Sequence, residues 1–213
     1  MSEGDVVRHT PSVRRVLVTG ALTAVLLVSG GTAVAAPVQP AAAPSAPGAS
    51  VGPYAQLRPL ADLSARRLAT ADLVAAAKYG TDSPIDDPAR ERQVLDAVAA
   101  QAKEAGADPQ ATVRIFRDQI EANKVVQRGL FRRWDADPAQ APTERPDLAE
   151  VREEINRVNG ELVRSVAASP VARSAPYCAG ALTAAAAHVR HAHRLDALHS
   201  VALGRALPSV CAG

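Results

Sequence analysis

From Leu57 onward the apolar residues recur at steps of three and four rather than alternating, a period that builds helices with one buried face. A first helix is expected from about Leu57 to Tyr79, with Leu60, Leu63, Leu68, Val74 and Ala75 turned inward. Gly80, Thr81, Asp82, Ser83 and Pro84 then make a turn. Asp87 is placed to cap a second helix that starts at Pro88, carries Val94, Leu95 and Val98, and stops near Ala105 with Gly106 as the residue after its end. Asp108 and Pro109 repeat the starting signal for a third helix, whose stripe of Val113, Phe116, Ile120, Val126 and Leu130 also contains the polar Asn123 and Gln127. After Trp134 the segment DADPAQAPTERPD should be a loop. A fourth helix is expected from Asp147, with Leu148, Val151, Ile155, Val158 and Leu162, ending at Ser169 and Pro170; one long Ala-rich helix should fill most of Ala175 to Leu207. The pattern is all-α.

The first 53 residues do not fit it. Arg8, Arg14 and Arg15 precede an apolar run from Val16 to Val28, and Ala33, Val34 and Ala35 form a small-x-small site, so residues 1–36 read as an export signal. The run is too short and too broken to span a bilayer. Residues 37–53 are uncharged Ala, Pro, Ser and Gly, a linker composition. What remains, residues 54–213, has the size of one domain. The expected product is a protein released outside the cell or held at the outer face of its envelope, with no membrane segment after cleavage. In that setting Cys178 and Cys211 are most simply a disulfide.

Charge narrows the partners. The chain holds 24 Lys and Arg against 22 Asp and Glu, a formal net charge of +2, which gives no electrostatic case for nucleic acid. His188, His191, His193 and His199 cluster near the C-terminus, but they lack the spacing and companion ligands of a metal site, and no Gly-rich phosphate loop or nucleophile elbow is present. No metal and no cofactor are expected. The cations are placed rather than massed. Arg67 and Lys78 stand eleven positions apart, close to three full turns, so both leave the same helix face and flank one pocket. Asp87, Arg90 and Glu91 share one side of the second helix's first turns. Taken alone, such a set is commonly a solvated surface with ordinary ion pairs.

The stretch RLATADLVAAAKYGTDSPIDDPARERQVL resembles the core of the all-helical chorismate mutases, in which an Arg, a Lys eleven residues later and then D-x-x-R-E recur. The likeness continues through Asn123 and Gln127 in IEANKVVQ and Arg152 in DLAEVREEINRVNGEL, and it covers about Ala55 to Cys211, in the order of the exported single-domain subclass. It implies a type II-like bundle of about six helices, acting on the small-molecule substrate chorismate and forming prephenate by an intramolecular rearrangement that requires no general acid, general base or covalent intermediate. By the same resemblance Arg67 and Arg152 would grip the carboxylates, Arg90 would add positive potential at one end, and Lys78 and Gln127 would donate to the ether oxygen. Asp87 and Glu91 would orient the ring hydroxyl or hold Lys78 and Arg90, and Asn123 would contact a carboxylate or hydroxyl. A homodimer follows by analogy, with each site complete in one chain. The reading to set against this one is a non-catalytic exported bundle that binds a small anion or a protein.

Overall fold

The computed structural model describes residues 52–211; the expected signal and most of the linker, residues 1–51, lie outside the described residues. Seven α-helices run α1 (Pro53–Lys78), α2 (Pro88–Glu104), α3 (Pro109–Ala136), α4 (Leu148–Ala167), α5 (Pro170–Ser174), α6 (Cys178–Ala192) and α7 (Ala197–Ala206), and no strand occurs among the described residues. Single 3-10 turns lie at Pro138–Gln140 and Pro208–Val210.

Local chemistry sets most of these boundaries. The carboxylates of Asp87, Asp108 and Asp147 accept from the backbone N–H groups of Arg90, Ala111 and Ala149, so each satisfies a donor that its helix start leaves unpaired. Gly106, at φ +75°, follows the end of α2 in the left-handed conformation that a side chain disfavours. Two expectations need correction. The C-terminal region is not one long helix: Arg194 takes φ +52°, the chain turns, and Asp196 caps α7 through the His199 N–H at 2.8 Å. Pro170 does not merely end α4, because it opens the short α5. The all-α bundle expected is present, with seven α-helices among the described residues, one of them the five-residue α5.

The two long helices α1 and α3 pack on each other and form the centre; α4 and α6 cover α1, while α2 and α7 cover α3. Leu57, Leu60 and Leu68 of α1 and Ile115, Phe116 and Val126 of α3 are essentially inaccessible, and Leu162 and Leu203 close the same core from α4 and α7. Each contributes about 1.5–3 kcal/mol by leaving water. Gly129 lets α7 come close to α3, because a Cβ there would stand 2.6 Å and 2.7 Å from the two methyl groups of Leu198. Cys178 and Cys211 are bonded and close a loop of sequence separation 33, tying the last turn to the start of α6. A loop of that length contributes about 2–4 kcal/mol.

His199 clamps α7 to α1. Its Nε2 meets Asp72 at 3.0 Å and its Nδ1 meets Asp196 at 2.7 Å, with Arg133 on the far side of Asp196 at 3.6 Å. The bond to Asp72, opposed by burial and reinforced by Asp196, raises its pKa from 6.5 to about 9. A raised folded-state pKa stabilises fully below the unfolded value and is lost as pH climbs through the folded one. Thermal stability should therefore fall between pH 6.5 and about 9 by an amount on the order of 2 kcal/mol, and His199→Gln should flatten that slope. Melting curves across this window test it; an unchanged slope in the variant would remove His199 as its source.

Candidate active site

The segment 79–87 is strapped down over one end of the α1–α3 groove. Tyr79 packs edge-on against Phe131 and Trp134, with ring centres 5.2 Å and 5.1 Å away, and its carbonyl accepts from Arg145 at 3.1 Å. Asp86 takes two 2.7 Å hydrogen bonds from Arg128 and an ion pair from Lys124 at 3.2 Å. These contacts turn Ile85 inward, where it joins Val74, Val94, Ile120, Leu148 and Ile155 in lining a cavity of about 110 Å³. Several of these apolar residues are only half-buried because the cavity, not the core, is their neighbour.

All eight residues singled out from the sequence line this one cavity: Arg67, Lys78, Asp87, Arg90, Glu91, Asn123, Gln127 and Arg152. They arrive from four helices. Arg67 is 5% exposed; its Nε donates to Asn159 Oδ1 and a terminal amino group donates to the Gln119 carbonyl, both at 2.9 Å, and the guanidinium lies 5.9 Å from the centre of the Phe116 ring. No carboxylate pairs with it among the described residues, and burial alone lowers its pKa to about 10. Lys78 sits at the last position of α1 and donates to the Pro84 carbonyl at 2.6 Å, leaving two ammonium N–H groups uncommitted by that bond. Burial pulls its pKa below 10.5, Asp87 opposes that, and the charge of Arg152 adds to it. Arg90 donates to Gln93 at 3.2 Å, and Arg152 makes no hydrogen bond or ion pair to a described residue.

The polar side chains arrange themselves less simply than the spacing suggests. Gln127 Nε2 donates to Asn123 Oδ1 at 2.7 Å, and Gln127 Oε1 is buried with no partner. Gln127 Nε2 keeps a second N–H beyond the one given to Asn123, and the present amide orientation is held by Asn123 Nδ2, which donates to the Arg67 carbonyl at 3.5 Å. Glu91 binds neither Lys78 nor Arg90: it meets Lys124 at 2.8 Å. Lys124 itself lines the cavity, 7% exposed, held by Glu91, Asp86 and Glu121. Burial opposes its charge, but the three carboxylate bonds outweigh burial and raise its pKa. The sequence reading missed Lys124, and it missed Gln119 and Asn159, which aim Arg67. Asn159 could have been found, since it follows Arg152 by seven residues, two turns along the same face.

A cavity with five cations and two carboxylates in its wall, one cation buried and without a counter-ion, suits a small polyanion. Comparison with known proteins agrees. A family profile described as chorismate mutase type II matches residues 58–128. A secreted chorismate mutase of Mycolicibacterium smegmatis is 38% identical over 165 residues, covering 78% of this chain and 91% of that protein. The chain belongs to the chorismate mutase type II family. A second secreted chorismate mutase, from Mycobacterium tuberculosis, is 36% identical over 156 residues, 73% of this chain and 78% of that protein. The crystal structure of chorismate mutase from Burkholderia phymatum superposes with a TM-score of 0.71 at 34% identity, covering 75% of this chain and 98% of that one. The chorismate mutase profile includes Arg67, Lys78, Arg90, Asn123 and Gln127 and ends before Arg152 and Asn159. In this chain α4 therefore completes the cavity from beyond the profile's range.

Proposed function

We propose that this exported chorismate mutase converts chorismate to prephenate in the cavity between α1, α2, α3 and α4. The observation that carries the reading is Arg67: a guanidinium removed from water, held by two neutral acceptors and paired with no carboxylate, gains most from an anionic ligand. Arg67 and Arg152 bind the substrate's two carboxylates and fold the flexible dianion into its compact reactive shape, which removes the entropy of finding it. Lys78 donates to the ether oxygen as its carbon–oxygen bond lengthens and negative charge grows there, with the Gln127 amide as the second donor. Arg90 supplies positive potential at one end, and Asn123 fixes both the Gln127 amide and a substrate oxygen. Asp87 keeps Lys78 charged and holds the start of α2; Glu91, tethered by Lys124, faces the ring hydroxyl.

The relatives named secreted chorismate mutases, together with the disulfide, support a location outside the cytoplasm. Among the described residues no helix is long and apolar enough to cross a membrane. Every site residue comes from one chain, so a homodimer would carry two complete sites.

The experiment is to mix purified protein with chorismate, follow loss of its absorbance and identify the product. Prephenate is expected; pyruvate would instead mean a lyase, and no turnover would favour the non-catalytic anion-binding bundle. Because Gln127 donates an N–H at any pH, kcat should stay flat from about pH 5 to 8, whereas Gln127→Glu should be active only on the acid side. A steep change in the parental protein across that range would remove Gln127 from the ether oxygen.

A further inference from the structure

At the N-terminal end of α3 lies a second recess, about 200 Å³, that shares no lining residue with the catalytic cavity. It is formed where the turn before α3 meets the end of α4 and the start of α5. Ala111, Val166, Ala167 and Pro170 give it apolar walls, and two guanidinium groups, Arg114 and Arg173, line it. Arg173 is 8% exposed and uses its Nε to donate to the Val210 carbonyl at 3.0 Å; its terminal amino groups have no hydrogen-bond partner among the described residues. Arg114 is exposed and makes no hydrogen bond or ion pair to a described residue. Burial first, and then the charge of Arg114, lower the pKa of Arg173, while the Asp108 carboxylate pulls the other way without reversing them. Asp108, the carboxylate in the wall, is committed to the Ala111 N–H at 2.8 Å and pairs with neither arginine.

Two like charges border an apolar recess, one on an arginine nine-tenths buried, and the Asp108 carboxylate offsets them only in part, so an anion lodged between them is favoured. We infer that this recess binds a small organic carboxylate, its carboxylate held between Arg114 and Arg173 and its apolar body against Ala111, Val166 and Ala167. Arginine suits this role because its planar fork matches a carboxylate. The walls favour a ring or short hydrocarbon over a bare inorganic anion, which would leave them dry and unfilled. The first turn of α3 adds the positive end of its dipole to the same space.

Benzoate is the probe, added to the isotope-labelled, disulfide-intact protein while backbone amide resonances are followed. Saturable shifts are expected at Ala111, Val166 and Ala167, weakening as salt is raised. Arg114→Gln, an exposed change that spares the Val210 bond of Arg173, should weaken binding about tenfold with mutase activity unchanged and the melting temperature not lowered, since one of two like charges is removed. Benzamide, which keeps the ring and loses the charge, should bind at least about tenfold more weakly, and inorganic phosphate should not displace benzoate. The inference is overturned if benzoate moves only resonances of the catalytic cavity, if Arg114→Gln binds as the parent does, if benzamide binds equally well, or if phosphate competes at equal concentration. None of these outcomes touches the chorismate assay, so the two proposals stand or fall separately.

Discussion

Arg67→Ala is expected to lower kcat/KM for chorismate by about a thousandfold, roughly 4 kcal/mol of transition-state stabilisation. The size follows from where the group sits. A surface arginine facing a carboxylate is worth little because water competes for both partners. Arg67 is withdrawn from water by Phe116 and the α1–α3 contact, and its direction is fixed by Asn159 and Gln119, so it meets the substrate already desolvated and already oriented. Both KM and kcat should worsen, because the same contact binds the ground state and holds its compact conformer. Arg67→Lys keeps a charge but loses the fork that bridges Asn159, the Gln119 carbonyl and the ligand, and should recover only part of the loss. Stability responds differently. The alanine removes a costly buried charge but leaves the Asn159 and Gln119 acceptors without their donor, two effects of opposite sign, so the melting temperature should move far less than activity does. A near-parental kcat/KM would mean that the cavity has been assigned to the wrong chemistry.

The parts of this architecture that depend on neighbours in sequence were legible there. Asp87, Asp108 and Asp147 cap their helices because an Asx side chain reaches the N–H two or three residues ahead whatever the rest of the chain does. The meeting of Arg67 with Lys78 followed from helical period alone, and the cavity contains both. The break between α6 and α7 was hidden because HVRHAHRLDALHSV keeps a helical apolar period straight through it; the turn is set by Arg194 in the left-handed region and by the docking of α7 on α3 beside Gly129. Likewise, the partner of Glu91 is Lys124, which comes from another helix. Which of two nearby cations takes a carboxylate depends on how α2 and α3 are laid together, and no spacing within one helix carries that information. The half-buried state of Leu148 and Ile155 had the same origin: their stripe is continuous with the core, yet they border the cavity.

Lys78→Ala is the second large effect, a fall in kcat of about two orders of magnitude, near 3 kcal/mol. Its logic differs from that of Arg67. The ammonium is half-buried and anchored by the Pro84 carbonyl, within a segment that Arg128, Lys124 and Arg145 pin in place, so little reorganisation is left for the moment of reaction. Its contribution is made chiefly in the transition state, where the ether oxygen gains charge, and kcat should therefore fall more steeply than KM rises. The same group sets the alkaline limit. Burial first, and then the charge of Arg152, lower the Lys78 pKa below 10.5 against the opposing pull of Asp87, so activity should decline as pH rises through that lowered value and the donor loses its charge. Asp87→Asn removes the opposing carboxylate and should bring the decline to still lower pH. Lys78→Ala, having no ammonium to lose, should show its residual rate without that limb. A pH–kcat series on the three proteins separates these outcomes: an alkaline limb that persists unchanged in Lys78→Ala would assign the titration to another group and take Lys78 away from the ether oxygen.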